Sequence, residues 1–161
     1  MDRLAIAIVG ESPEAPAIDP RTERSSEPLG GMVGMRLSLL CGCSVEEYLA
    51  AFSRCTLLPR WPGKKWPWAE AAVRGREVLA QRRLPTVLLG RRVACAVLGE
   101  AGGHAARWYA PAGAFVVAPS PMGKLGLWRE RAELERARAF WSGLYREAAR
   151  LASIPDAVGA A

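Results

Sequence analysis

The chain has 161 residues, half of them hydrophobic, with 22 lysines and arginines against 16 acidic residues and a net charge of +6. That length favours one domain with one core, the composition is globular and not that of a disordered chain, and every apolar run is broken well before the roughly 20 residues that span a bilayer. The positive excess permits a nucleic-acid partner without requiring one.

In chain order, LAIAIVG at residues 4–10 is a short apolar run stopping at glycine, which predicts a buried first strand and not a signal peptide. Residues 11–31 are rich in Pro, Glu, Ser and Gly and predict a long loop, a feature that is usually functional in a compact domain. Val33, Leu37, Leu40 and Cys41 recur at helical spacing and Gly42 is placed to end that helix. Ser44 and Glu47 match a capping box opening the helix SVEEYLAAF. RCTLL at 54–58 predicts a second strand, and the prolines of RWPGKKWPW at 60–68 predict a rigid loop. A helix follows from Trp68 to near Arg83, then a strand at 86–90 ending in Gly90, and directly after it the helix RRVACAVLG. His104 follows Ala-Gly-Gly and is expected in a loop. FVVAP at 115–119 is the fourth strand, and a last helix is expected from near Trp128, with Leu134, Ala137, Trp141, Leu144, Ala148 and Leu151 on one buried face.

Strands alternating with helices predict a three-layer α/β/α domain, residues 1–152, with a four-stranded mostly parallel sheet, and a flexible tail over 153–161. In such sheets the ligand crevice lies outside the carboxyl ends of the strands. The loops leaving those ends are GESPEAP, TLLPRWPGK, LGRR and APSPMGK, and Gly10, Thr56, Gly90 and Ala118 are expected along one edge.

The four cysteines form no CxxC pair and there is one histidine, so neither a zinc site nor any other cofactor is expected. Cysteines within apolar segments fit burial in a protein of a reducing cytoplasm. No phosphate loop of the GxxxxGK[ST] type is present, and the Gly-rich stretches do not follow a strand as a dinucleotide fingerprint must.

Three constellations carry chemistry. In GESP, Gly10 lets the backbone turn, Glu11 brings a carboxylate to the crevice and Pro13 stiffens the exit; an ordinary strand exit with a solvated glutamate is the plainer alternative. In APSPMGK, two prolines brace Ser120, whose hydroxyl and neighbouring N–H groups suit a phosphate, with Lys124 adding charge. In RWPGKKWPW, Lys64 and Lys65 interleave with Trp61, Trp66 and Trp68, a pattern suited to gripping a nucleic-acid strand, or equally to tryptophans packed beneath a proline-rich loop.

Taken together and in order, GESP, PLGGMVGMRL, SVEEYLAAFSRCTLLPRWPGK, TVLLGRRVACAVLG and APSPMGKLGLW resemble the uracil-DNA glycosylase superfamily, from about Ile6 to Trp141. The resemblance implies a four-stranded parallel sheet between helices, a base pocket at the strand ends, and a base flipped out of DNA into it. It assigns catalysis to Glu11 and Ser12, base contacts to Gly10, Pro13, Thr56 and Ala118, and DNA contacts to Lys64, Lys65, Ser120 and Lys124. Three positions depart from the family pattern: Ala118 where a histidine usually stands, Ser12 in place of Asp or Asn, and Thr56 where an Asn commonly reads the uracil edge. The implied function is therefore a DNA glycosylase acting on a modified or non-canonical base, with weak or no release of uracil. The alternatives are a non-catalytic relative that binds a nucleobase, nucleotide or DNA, and a scaffold for a protein partner. No membrane association is expected.

Overall fold

A computed structural model describes residues 5–14, 27–105, 107–123 and 127–153. Most of the first long loop, Lys124 and the tail beyond Ser153 lie outside these residues, as do the side chains of His104 and Ala105.

Five strands form one sheet in the order β2-β1-β3-β5-β4. The first is β1 (Ala7–Gly10), flanked in parallel by β2 (Ser53–Thr56) and β3 (Thr86–Leu89), with β5 (Phe115–Ala118) parallel to β3. The expected four strands are these. The fifth, β4 (Pro111–Ala112), is an antiparallel edge joined to β5 through Gly113, whose φ is +65°. It corrects the four-stranded expectation: two residues, one a proline, carry no strand signal, and an edge is where a sheet tolerates proline.

Strand alternation divides the core in two. Ile8, Val87, Leu89 and Ala118 face one helical layer, formed by α1 (Met32–Cys41), α2 (Val45–Ala51) and α6 (Arg131–Ala152), with Trp141 fully buried at its centre. Val9, Leu88, Phe115 and Val117 face the other, formed by α3 (Trp68–Gln81) and α4 (Arg91–Leu98). The fold is thus an α/β domain with helices on both faces, and β1 and β3, buried throughout, read as continuous apolar runs because both their faces are covered. Among the described residues no helix is long and apolar enough to cross a membrane.

Local signals explain most boundaries. Gly42, at φ +73°, ends α1 while its N–H and that of Cys43 reach back to the Leu39 and Ser38 carbonyls. The expected capping box opens α2: Ser44 accepts from the Glu47 N–H at 3.0 Å and Glu47 accepts from the Ser44 N–H at 3.3 Å. Tyr145 of α6 then donates to the same carboxylate at 3.0 Å, tying the two helices.

Three expectations need correction. β2 closes at Thr56, because the Thr56 hydroxyl donates to the Leu58 carbonyl at 2.8 Å and turns the chain. α6 starts at Arg131 and not near Trp128, whose indole N–H is instead engaged by the Pro121 carbonyl at 2.9 Å. His104 lies on a short helix, α5 (Glu100–Ala105), and not in a loop. Gly103 has no room for a side chain against the backbone of Cys95, so packing on α4 overrides the low helix propensity of two glycines.

Candidate functional site

The four parallel strands end together. Gly10 pairs with Thr56 and Leu89 with Ala118, while the Gly90 N–H donates to the Ala118 carbonyl at 2.7 Å. Gly10, Thr56, Gly90 and Ala118 therefore share one edge, where open α/β sheets place their ligands.

The loop leaving β1 is fixed from three sides. The N–H groups of Leu57 and Leu58 donate to the Gly10 and Glu11 carbonyls at 2.8 and 2.9 Å, extending the β1–β2 ladder past the strand end. The Leu29 side chain fills the space a side chain on Gly10 would need. Leu29 itself sits at φ +55°, an unfavourable backbone for leucine, and the Tyr48 hydroxyl donates to its carbonyl at 3.2 Å. Glu14 accepts from the Val33 N–H at 2.9 Å, placing its carboxylate at the N-terminus of α1, where the helix dipole favours it.

The loop leaving β5 is braced as firmly. The Ser120 hydroxyl accepts from the Met122 N–H at 3.2 Å and the Ser120 carbonyl from the Gly123 N–H at 3.1 Å. Arg36 of α1 and Trp128 both donate to the Pro121 carbonyl at 2.9 Å, and the Arg36 guanidinium lies 6.0 Å from the Trp128 ring centre. Helix α1 thus holds both loops, one through Glu14 and one through Arg36.

Two adjoining cavities open between these loops, and Glu11 and Ser120 line both. One, of about 390 Å³, has walls that include Gly10, Ser12, Pro13, Trp61 and Met122. The other, of about 550 Å³, is bounded by Arg91, Arg92, Trp108, Glu130 and Glu133 among others. A smaller recess of about 240 Å³ beside the first reaches Thr56. Among the described residues, Glu11 is the only ionisable side chain common to these two cavities. It is 36% exposed and lies 3.6 Å from Arg92, whose guanidinium is held 5.4 Å over the Trp66 ring. Burial pushes the Glu11 carboxyl above the usual carboxylate range, and Arg92 pulls against that by charge and hydrogen bonding. Among the described residues no three His, Cys, Asp or Glu side chains gather as a metal site would require.

No protein-family model, curated protein or solved structure matches this chain.

The sequence-derived residues divide as follows. Gly10, Glu11, Ser12, Pro13 and Ser120 meet at the 390 Å³ cavity, and Thr56 lines the recess beside it. The Ser12 hydroxyl donates to the Pro13 carbonyl at 3.1 Å. Ala118 stands at the right edge but is fully buried in the core, so it offers no surface for a base; in that loop Ser120 is the position that reaches both cavities. The N–H groups of Met122 and Gly123, expected free for a phosphate, are taken by Ser120 itself. Lys64 and Lys65 are exposed on the turn after Pro62 and line neither large cavity, and Lys124 lies outside the described residues. Of the interleaved tryptophans, Trp66 is buried in the core, whereas Trp61 is 48% exposed and reaches the cavity wall. Sequence reasoning did not single out Arg92, Glu14 and Arg36. Only Arg92 carried a signal, a basic pair directly after a strand-ending glycine.

Proposed function

We propose that this protein binds a nucleobase turned out of a DNA strand, and that it cleaves the N-glycosidic bond of a modified base with Glu11 as the group that orients water. The observation that carries the reading is the position of Glu11. It leaves the first strand at the junction of two cavities, half-buried, with burial holding its carboxyl above the usual carboxylate range against the pull of Arg92. In the reaction water adds to C1′ of the deoxyribose as the C1′–N bond breaks. Glu11 accepts the proton from water, and the bonding pair leaves on the base, which is then protonated. The mostly parallel sheet between two helical layers is of the general α/β class in which a ligand site at the strand ends is expected. The cleft is also open, with Met122 at 41% exposure on its wall, which favours a ligand site over a merely structural scaffold.

The departure at the second motif also takes a different form. Because Ala118 is buried, the side chain able to donate to a leaving base among the described residues of that loop is Ser120. A neutral hydroxyl is a weaker aid than a well-placed imidazole, and losing one preorganised donor typically costs about 10² to 10³ in rate. Uracil release is therefore expected to be weak or absent.

The test is an abasic-site cleavage assay on duplex and single-stranded oligonucleotides carrying a panel of normal and modified bases, with Glu11→Gln alongside. Release of a modified base that Glu11→Gln abolishes supports the proposal. Robust uracil excision indifferent to Glu11→Gln would sink it. Salt-sensitive DNA binding without any excision would replace it with the reading of a non-catalytic binder.

A further inference from the structure

The 390 Å³ cavity has an unbalanced hydrogen-bonding character. Among the described residues, the polar side chains that line it are Glu11, Glu14, Ser12 and Ser120, with the Trp61 indole N–H as a further donor, and none of them is a lysine, arginine, histidine, asparagine or glutamine. Each of the two glutamates and two serines has a partner within the protein. Ser12 donates to the Pro13 carbonyl, Glu14 accepts from the Val33 N–H, and Ser120 accepts from the Met122 N–H. The partner of Glu11 is Arg92, which lines the neighbouring cavity and not this one. The cavity thus offers its ligand carboxylate acceptors and few donors. Its apolar wall includes Trp61 at 48% exposure, with Met32 and Met122 at 40 and 41%, so an aromatic ring and two thioether side chains are accessible.

An ionised carboxylate only accepts hydrogen bonds, and two parallel N–H donors satisfy both of its oxygens. Guanine presents such a pair through N1–H and its 2-amino group. Uracil and thymine present carbonyl, N–H, carbonyl, so one of their carbonyls would face a carboxylate oxygen with no proton between them. A positive charge on the ring adds attraction to Glu11 and, across its face, to the Trp61 indole. The volume falls within the range of small-molecule sites.

Resting on the reading of this cleft as a nucleobase site, we propose that it selects a donor-edged purine, guanine and most strongly its cationic N7-alkylated form, through Glu11 at the edge and Trp61 at the face, and that it discriminates against uracil. Glu11 is then a specificity-determining residue in recognition, ahead of the step in which it orients water, and Trp61 is a binding residue that charge alone would not reveal.

The experiment is a competition measurement by fluorescence anisotropy with the full chain. It uses single-stranded oligonucleotides identical except for one central base: 7-methylguanine, guanine or uracil. The expected order of affinity is 7-methylguanine, then guanine, then uracil, with the first and last separated on the order of tenfold or more, the scale of one charge-assisted hydrogen bond together with a cation–π contact. Glu11→Gln weakens the 7-methylguanine and guanine strands and so collapses the order, since an amide offers a donor and an acceptor where the carboxylate offered two acceptors. Trp61→Ala weakens the 7-methylguanine strand most. Equal affinity for the three strands, or uracil bound as tightly as 7-methylguanine, overturns the selectivity while leaving DNA binding intact. An order unchanged in Glu11→Gln overturns the role of Glu11. Failure to bind any strand, with circular dichroism showing a folded chain, overturns the nucleobase reading itself.

Discussion

Gly75→Ala tests how the second helical layer is held against the sheet. Gly75 lies on α3 and is buried against α4. A β-carbon there would sit 2.8 Å from the Val97 nitrogen and closer still to the Ala96 carbonyl. Ordinary contact begins near 3.4 Å, and the obstructing atoms are helix backbone that cannot rotate away, so α3 and α4 must separate by more than half an ångström. Against this, alanine in a helix interior is better than glycine by about 0.5–1 kcal/mol. Over-packing of a well-filled contact costs about 1–3 kcal/mol and occasionally more. Because the clash involves three backbone atoms, the upper part of that range applies, and the net expectation is a loss of roughly 2 kcal/mol. For a chain of this size that lowers Tm by about 4–8 °C. Urea denaturation and a thermal melt followed by circular dichroism read it directly. A variant as stable as the parent, or more so, would show that α3 does not pack on α4 in this register. The consequence reaches the site, because α4 carries Arg92 at its start and Trp66, on which Arg92 lies, belongs to the same core.

Removing the cap of α2 by Ser44→Ala is expected to cost about 1 kcal/mol, measured by urea denaturation, because the Glu47 N–H loses its acceptor. Introducing histidine separates two positions of the second motif. Ala118→His forces an imidazole into a fully buried site and is expected to destabilise the fold by about 1–3 kcal/mol or more, whereas Ser120→His, half-buried at the cavity wall, is expected to melt near the parent and to raise any uracil release in the cleavage assay. The raised Glu11 carboxyl makes stability fall as pH rises from the ordinary carboxylate value through its folded value, since the folded state holds the proton more tightly than the unfolded chain does. Glu11→Gln should remove that fall in a pH series of melts, and Arg92→Gln, by deleting the opposing charge, should move it to higher pH.

What was legible in the sequence follows from whether the signal was local. The capping box at Ser44 and Glu47, the αL glycine at Gly42 and the doubly buried runs of β1 and β3 are encoded within a few residues, and all form where expected. β4 and α5 were missed because tertiary contacts make them: a two-residue edge needs β5 beside it, and two helical glycines need the backbone of Cys95. The site divides by the same rule. That the strand exits converge follows from alternation of strands and helices, so the cluster of Gly10, Glu11, Ser12, Pro13 and Ser120 was accessible. Which side chain of a loop faces the cavity depends on the turn it takes, and the step from Ala118 to Ser120 crosses from core to cleft within two residues.

Helix α1 is the element on which the site's geometry depends, although its own sequence suggests only a packing role. Its N-terminus receives Glu14 from the β1 exit, and Arg36, one turn further on, grips the Pro121 carbonyl of the β5 exit. Gly34 gives the Leu29 carbonyl room to approach the helix, while Arg54 from β2 donates to the Pro28 carbonyl at 2.6 Å and to Glu27 at 3.2 Å. The segment before α1 is thereby pinned from below by strand β2 and from above by the helix it introduces. Loops held in this way fix Glu11 and Ser120 at the same two cavities. For the proposed reaction such bracing matters, because donors and acceptors placed in advance need no rearrangement when charge develops. Within the glycine-rich segment 28–34, Gly31 and Gly34 serve close approach, to the Glu14 carboxylate and the Leu29 carbonyl, and Arg36 beyond it secures the β5 exit.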